Sequence, residues 1–324
     1  MKLRIIDSGR WYGYRALGEE KRRKNLKTLL VFSLGVALIM APLTSTSAHV
    51  GDIIFPIYEI PTADLPNLHD GTLEDWEEIL PNASLNYTDF AYNGGIGGGM
   101  DSADLAFQVF LAWHSATQRI YVAIERRDDV YASPFEGSVL ISVDGDHSGG
   151  PFFYGQEYSE EEIKRLNYAQ AQTYSVQAEV YNGDPLSFLG IGSEVLTWTT
   201  RLPWAEIGGY HSGNSPHFWT TELAVTLWDD LDWHGHELSQ RSMLDAGKVI
   251  GFQIEVFDFD EAFKMQGDYL LGLPEKDPMG QPGIWADNFV DGELIPCNWG
   301  DCGTVREVSA VKADAWGRIK ASFR

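Results

Sequence analysis

The feature that most constrains the fold is a set of segments with large apolar side chains at every second position. In residues 105–113 all the odd positions are large and apolar. This period of two is typical of a strand with one buried face. The sequence therefore predicts a chain built mainly from strands, because the same alternation recurs in residues 120–124, 139–143, 174–180, 223–227 and 250–256.

Helical signals are few. Residues 114–118 predict the loop of a hairpin between the first two strands, and residues 75–79 predict one helical turn. A capping-box pattern, Ser159 with Glu162, predicts a short helix between strands. We therefore expect an all-β protein, a two-sheet antiparallel β-sandwich of jelly-roll or immunoglobulin-like type with one or two short helices. The predicted domain covers residues 49–302.

The first 48 residues resemble a targeting segment. Basic residues cluster between positions 21 and 27, an apolar run covers residues 29–40, and small residues fill positions 44–48. This order is typical of a secretory signal peptide, and the apolar run is shorter than the about 20 residues of a membrane span. We expect residues 1–48 to be a signal peptide and the protein to be secreted, periplasmic or on the cell surface. An uncleaved anchor helix is the alternative.

The charge of the chain limits its partners. Residues 49–324 keep 44 acidic and 15 basic side chains, because only three of the 47 acidic but nine of the 24 basic residues precede them. Such an acidic chain repels phosphate backbones, so nucleic acid is excluded as a partner. Cations are favoured, and we expect calcium.

Two groups of oxygen-bearing residues are candidate calcium ligands. Asp144, Asp146 and Ser148 alternate in an acidic turn that resembles the first half of a calcium loop. Asp258 and Asp260 point the same way at a strand end and, with Asp128 and Asp129, form a second candidate site. An ordinary acidic turn and a solvated sheet edge are the respective alternatives.

Six segments carry motifs in a fixed order along the chain. They are residues 69–76, 113–129, 138–150, 202–207, 251–260 and 284–289. In this order they resemble the motifs of the family 9 carbohydrate-binding modules. The opening segment HDGTLEDW resembles the "DG…dW" motif of that family, and the last segment resembles its closing Trp segment.

The resemblance implies a β-sandwich that binds calcium and holds a sugar between aromatic side chains. It makes Trp285 one wall of the sugar site and the loop with Tyr131 and Phe135 the other. Core packing is the alternative for Trp285, whereas Trp76, Trp113 and Trp204 are expected in the core. The polar neighbours that we expect to bind sugar hydroxyls are Asp287, Asn288 and Gln253.

Residues 228–237 crowd acidic side chains and two histidines between tryptophans. We interpret them as a loop beside the binding face. His234 and His236 are an alternative transition-metal pair, with Asp232 or Glu237 as a third ligand.

The C-terminal part contains the two cysteines of the chain. Cys297 and Cys302 predict a local disulfide in an exported protein. Residues 303–324 form a basic tail in which Trp316, Ile319 and Phe323 recur at helical spacing. The tail either docks onto the acidic domain or is a mobile terminus.

These features predict a non-catalytic carbohydrate-binding protein linked to polysaccharide breakdown. No nucleophile elbow, zinc-protease or P-loop motif occurs in the sequence, although the family is often attached to glycoside hydrolases. One alternative is a haem-binding or electron-transfer sandwich, and another is a structural surface protein whose tail docks to a partner. The candidate axial ligands for haem are Met100, Met243, Met265, His211 and His217.

Overall fold

The computed structural model describes fifteen strands, one short α-helix and several 3-10 turns, all within one compact unit that spans Thr46–Arg324. The described residues are 50–80, 84–95, 97, 99, 101–130, 139–149, 159, 169, 171–176, 186–188, 197–212, 215–261, 264–271 and 286–296.

The strands are short and separated by turns, as the alternating pattern predicts. In chain order they are β1 (Val50–Glu59), β2 (Ser84–Asn86), β3 (Ala91–Gly94), β4 (Leu105–His114), β5 (Arg119–Asp128), β6 (Val139–Asp144), β7 (Gln172–Val176), β8 (Leu186–Phe188), β9 (Ala205–Ser212), β10 (His217–Val225), β11 (Trp228–Asp230), β12 (Gln240–Arg241), β13 (Val249–Glu261), β14 (Lys264–Leu271) and β15 (Val290–Ile295).

Thirteen strands form one hydrogen-bonded network in which ten follow a single path, and β11 and β12 form a separate ribbon. Along this path the order is β8-β7-β6-β13-β15-β1-β4-β5-β10-β9. Off the path, β14 pairs with β13, β3 pairs with β14, and β2 pairs with β4. The path folds into two layers, and one buried cluster holds side chains from both of them. The all-β sandwich prediction is therefore confirmed.

Strand β1 departs from the predicted antiparallel pairing. It runs parallel to both of its neighbours, β15 and β4. Its middle pairs with β15 in one layer, whereas its last two residues, Tyr58 and Glu59, pair with β4 in the other. A single strand thus passes from layer to layer and joins two otherwise antiparallel sheets.

The core between the layers follows the sequence alternation. Phe107, Val109 and Leu111 of β4 face Ile141 of β6 and Ile254 of β13 within one buried cluster. These residues are at most 7 % exposed, so the interior excludes water along most of the sandwich.

A second apolar layer covers the outer face of β4, β5 and β10. Residues 60–80 cross this face and include the predicted helical turn, which the structure confirms as α1 (Glu74–Ile79). Trp76 is fully buried there, and its Nε1 donates to Oε1 of Glu222 at 2.7 Å. The expected core positions of Trp76 and Trp113 are confirmed, whereas Trp204 is partly buried and packs against the core.

The remaining element predictions have mixed outcomes. The hairpin loop at 114–118 joins β4 and β5 as predicted. Strand β10 ends at Val225, two residues earlier than the alternation indicates. The predicted helix after Ser159 and the end of the strand predicted over 174–180 lie outside the described residues. Among the described residues, no helix is long and apolar enough to cross a membrane.

Candidate cation site at one end of the sandwich

Four aspartates meet where β4 begins and β5 ends. Asp104, Asp128, Asp129 and Asp260 each offer one carboxylate oxygen, and these oxygens all lie within 4.8 Å of one another. We call these four residues the aspartate cluster. It is the one group of three or more potential metal-ligating side chains in the part of the chain that the structure describes.

The strand pairing explains how these residues meet. Leu105 of β4 pairs with Asp128 of β5, and the backbone N–H of Asp129 donates to the carbonyl oxygen of Asp104 at 3.0 Å. Strand β13 supplies Asp260 from the other layer. The cluster therefore joins the two layers near the ends of these strands, and it brings together segments that are far apart in sequence.

Asp258 lies beside the cluster and faces the interior. It follows Ile254 and Val256 at two-residue spacing, and both of these belong to the core between the layers. Its side chain is fully buried, and neither carboxylate oxygen has a hydrogen-bond partner among the described residues. An ionised carboxylate is costly in such a place unless it is paired with a proton or a cation.

Burial and mutual repulsion raise the pKa values of this group. Burial raises the pKa of Asp258 to about 7, and the charges of Asp128 and Asp104 add to the effect. Burial also raises the pKa of Asp104 to about 7, assisted by a hydrogen bond with the Asp129 carboxyl and by the charge of Asp260. The pKa of Asp260 is raised by burial and then by Asp129 and Asp128. A bound cation would relieve these costs.

One internal cation already sits beside the cluster. The guanidinium of Arg126 donates through Nε and Nη2 to Oδ2 of Asp128, and through Nη1 to the carbonyl oxygen of Phe257 at 2.7 Å. Oδ1 of Asp128 accepts the backbone N–H of Val130 at 3.1 Å. One guanidinium stands against five carboxyl groups, so most of the negative charge has no compensating side chain within this group of residues.

The structure thus brings together the residues of the second predicted calcium site. Asp128, Asp129 and Asp260 are joined by Asp104, which the sequence reasoning missed, while Asp258 lies next to them. The sequence did contain a signal for Asp104. In a hairpin whose loop covers residues 115–118, the numbers of two paired residues sum to 233. Position 104 therefore lies opposite Asp129.

The first predicted calcium loop lies elsewhere. Asp144 ends β6 and pairs with Gly251 of β13, seven residues from Asp258, which corresponds to about 23 Å along a strand. Its carboxylate accepts the backbone N–H groups of Ser148 at 3.3 Å and Gly149 at 2.8 Å. Burial and a hydrogen bond with Asp144 raise the pKa of Asp146 to about 6. The loop is closed by its own backbone donors, and its calcium role stays a prediction.

The predicted sugar-binding residues fall into two groups. Trp285, Tyr131 and Phe135 lie outside the described residues, as do Cys297, Cys302 and the tail 303–324. Gln253 lies on the outer face of β13, in register with Ser142, whose hydroxyl is 2.7 Å from that of Thr173.

These three polar residues are buried. The 3-10 turn Ala286–Asn288 precedes β15, whose first residue pairs with Phe252, so the turn lies next to Gln253.

Residues 228–237, which combine acidic side chains with two histidines, do not form a metal site in the part of the chain that the structure describes. His234 Nδ1 is 2.6 Å from the Asp232 carboxylate, whereas His236 Nε2 pairs with Glu237 at 3.0 Å. The ring of His236 packs on Trp204 at 5.0 Å between centroids. The two histidines thus have separate carboxylate partners.

No protein-family model matches the chain, and no curated protein matches it. Among solved structures, the chain is similar to a family 9 carbohydrate-binding module from Caldicellulosiruptor kristjanssonii, in complex with cellotriose, at 12% identity and a TM-score of 0.42. That match covers 76% of this chain and 96% of the module. The module in complex with glucose matches at 13% identity and a TM-score of 0.41, with 76% and 97% covered. The likeness concerns the fold alone.

Proposed function

We propose that this chain is an exported, calcium-stabilised protein that binds carbohydrate and has no catalytic role of its own. The observation that carries the cation part is the aspartate cluster, with the buried Asp258 beside it. Four carboxyl groups meet at the ends of β4, β5 and β13 with Asp258 beside them, and Asp104 and Asp258 have pKa values raised to about 7.

Calcium suits this donor set better than other common cations do. It takes six to eight oxygen ligands in flexible geometry, whereas magnesium demands a near-ideal octahedron and zinc favours nitrogen and sulfur. The four clustered residues would supply the ligand oxygens. The negative charge of Asp258, which lies beside them, would make the local electrostatic potential more favourable for a cation. A bound calcium would tie the start of β4 and the end of β5 to β13, and so close the end of the sandwich.

The carbohydrate part is supported by the sequence. The six motif segments resemble family 9 carbohydrate-binding modules in order and in content. Of the predicted polar residues, Gln253 of β13 is a neutral hydrogen-bonding side chain of the type that binds hydroxyl groups, and it lies buried beside Ser142 of β6. The turn with Asp287 and Asn288 lies beside Gln253, and the predicted wall Trp285 directly precedes that turn.

Export is proposed from the N-terminal segment. The basic, apolar and small-residue regions follow one another over residues 21–48. N-terminal sequencing of the protein from the culture medium or the periplasm should give a first residue near His49. Recovery of a chain that still begins at Met1 in the cytosol would contradict export and leave the two binding proposals open.

A glycan-array screen of the purified chain tests the carbohydrate part. We expect binding in calcium that is lost with a chelator, and we expect Trp285→Ala to abolish it while leaving calcium affinity unchanged. Gln253→Ala should weaken it. A folded, calcium-loaded protein that binds no glycan would overturn this part.

Calorimetric titration with calcium tests the cation part. The wild type should bind calcium, Asp104→Asn and Asp260→Asn should weaken binding because each removes one anionic ligand, and Asp245→Asn should not. Asp245 is an exposed aspartate outside the cluster, so it controls for the loss of a surface charge. Equal affinities in all four proteins would overturn the assignment of the site.

A further inference from the structure

A pair of histidines lies on neighbouring strands close to the aspartate cluster. His211 lies near the end of β9 and His217 begins β10, and Nε2 of His211 is 3.2 Å from Nδ1 of His217. Their ring centroids are 5.4 Å apart and their planes differ by 17°. The two ring planes are therefore nearly parallel, and the facing nitrogens lie close to the line between the ring centroids.

This spacing matches that of two ligands on one metal ion. Zinc–nitrogen bonds are about 2.0–2.1 Å, so two nitrogens on a tetrahedral zinc are about 3.3 Å apart. A hydrogen bond between the rings gives a similar distance, in which one of the two nitrogens carries the shared proton. A cation that takes both nitrogens has to displace that proton, and each ring has to turn within its own plane so that its nitrogen lone pair points at the ion instead of at the other ring.

The rings are held by a buried neighbour. Trp219 of β10 pairs with His211 across the strands and is 2 % exposed. Its plane lies within 12° of the His211 ring and within 19° of the His217 ring, at centroid distances of 5.2 Å and 5.7 Å. The side of the imidazole pair that faces the protein is therefore a packed indole, which limits ring rotation.

The surrounding charges favour a cation. His217 pairs with Asp128 across β10 and β5, and the hydroxyl of Ser215 donates to the backbone carbonyl of Asp129 at 2.8 Å. The histidine pair is thus adjacent to the aspartate cluster. Arg126 lies over the Trp219 ring at 5.1 Å, but its charge is paired with Asp128.

We propose that His211 and His217 chelate a divalent transition-metal ion such as Zn²⁺, Ni²⁺ or Cu²⁺, at a site separate from the oxygen site. Imidazole nitrogens select these metals, whereas carboxylates select calcium, so the two neighbouring sites divide the cations by ligand type. The two nitrogens supply part of the coordination, and water or a bound ligand with a free oxygen completes it.

The test is a Zn²⁺ titration of the full chain without an affinity tag, in saturating calcium. We expect one zinc site whose affinity falls about tenfold or more in both His211→Asn and His217→Asn, since removing even an outer-shell partner costs about 10–100-fold. His234→Asn is the matched control, because His234 is exposed and pairs with a different carboxylate. In ¹⁵N spectra of the wild type, zinc should shift the ring signals of two histidines, and each variant should lack the signals of the histidine that it replaces.

The proposal is overturned if the wild type binds no zinc, or if either His211→Asn or His217→Asn binds it as tightly as the control does. Calcium affinity and melting temperature are measured for every variant, and His211→Gln and His217→Gln replace any Asn variant that fails to fold. Because calcium is saturating throughout, loss of zinc binding is distinguishable from loss of the oxygen site.

Discussion

The side chain of Arg126 joins the two layers of the sandwich, because its Nη1 donates to the backbone carbonyl oxygen of Phe257 at 2.7 Å. Arg126 belongs to β5 and Phe257 to β13, which lie in different layers. The same guanidinium pairs with Asp128, and both of these side chains are at most 4 % exposed. One buried cation thus holds the end of the sandwich at the place where the aspartates converge.

We expect Arg126→Met to lower the free energy of unfolding by about 3–5 kcal/mol, because it leaves Asp128 buried without its partner. Urea unfolding in chelator measures this, with exposed Arg201→Met as the control. Adding Asp128→Asn to Arg126→Met should recover part of the loss, since the orphaned charge disappears. A single variant as stable as the control would contradict the structural role of the pair.

Much of the fold could be predicted because strand alternation is a local property. Residues 105–113, 120–124, 139–143 and 250–256 all become strands, and Trp76 and Trp113 are buried as expected. The parallel pairing of β1 with β15 and β4 could not be predicted, because it depends on contacts between distant parts of the chain.

The candidate cation site could likewise be predicted only in part from the sequence. Asp128 with Asp129, and Asp258 with Asp260, stand out as acidic pairs at strand ends. The approach of β13 to the β4–β5 hairpin is a matter of sheet order, which no local pattern contains. The proximity of His211 and His217 was likewise missed, although two histidines six residues apart around a Gly-Asn-Ser-Pro turn are consistent with neighbouring strands.

Removal of calcium should destabilise the chain. Calcium at a hundred times its dissociation constant would add about 2.7 kcal/mol to the free energy of unfolding, since only the folded chain gathers the cluster. We expect chelator to lower the melting temperature of the wild type and to leave that of an Asp104→Asn/Asp260→Asn variant nearly unchanged. Magnesium at the same concentration should give a smaller effect. Identical melting curves with calcium and with chelator would contradict the proposed site.

Glu222 should make stability fall as the pH rises. Burial raises its pKa to about 7, while the hydrogen bond from Trp76 opposes the shift. A carboxyl group with a raised folded-state pKa stabilises the fold below its unfolded pKa, and this contribution is lost as pH rises through the folded pKa.

We therefore expect Glu222→Gln, which can still accept from Trp76, to be more stable than the wild type at pH 8 by about 2–3 kcal/mol. The difference should shrink to near zero at pH 4, and exposed Glu125→Gln should show no such trend. Urea unfolding across this range provides the measurement. A constant difference between the variant and the wild type would contradict the titration of Glu222.

Gly208 and Gly209 offer a matched test of how residues 60–80 dock on β9. A β-carbon at Gly208 would lie 1.5 Å from the carbonyl oxygen of Leu68, whereas one at Gly209 would meet its nearest atom at 3.6 Å. The contact at Gly208 is with backbone atoms, so no flexible side chain can move aside to make room. Gly208→Ala therefore has to push residues 60–80 away from β9.

The expected result is faster hydrogen exchange around Trp76 and earlier proteolysis within residues 60–80 in Gly208→Ala, with Gly209→Ala like the wild type. If both alanine variants exchange at the wild-type rate, the close contact between Gly208 and Leu68 is wrong.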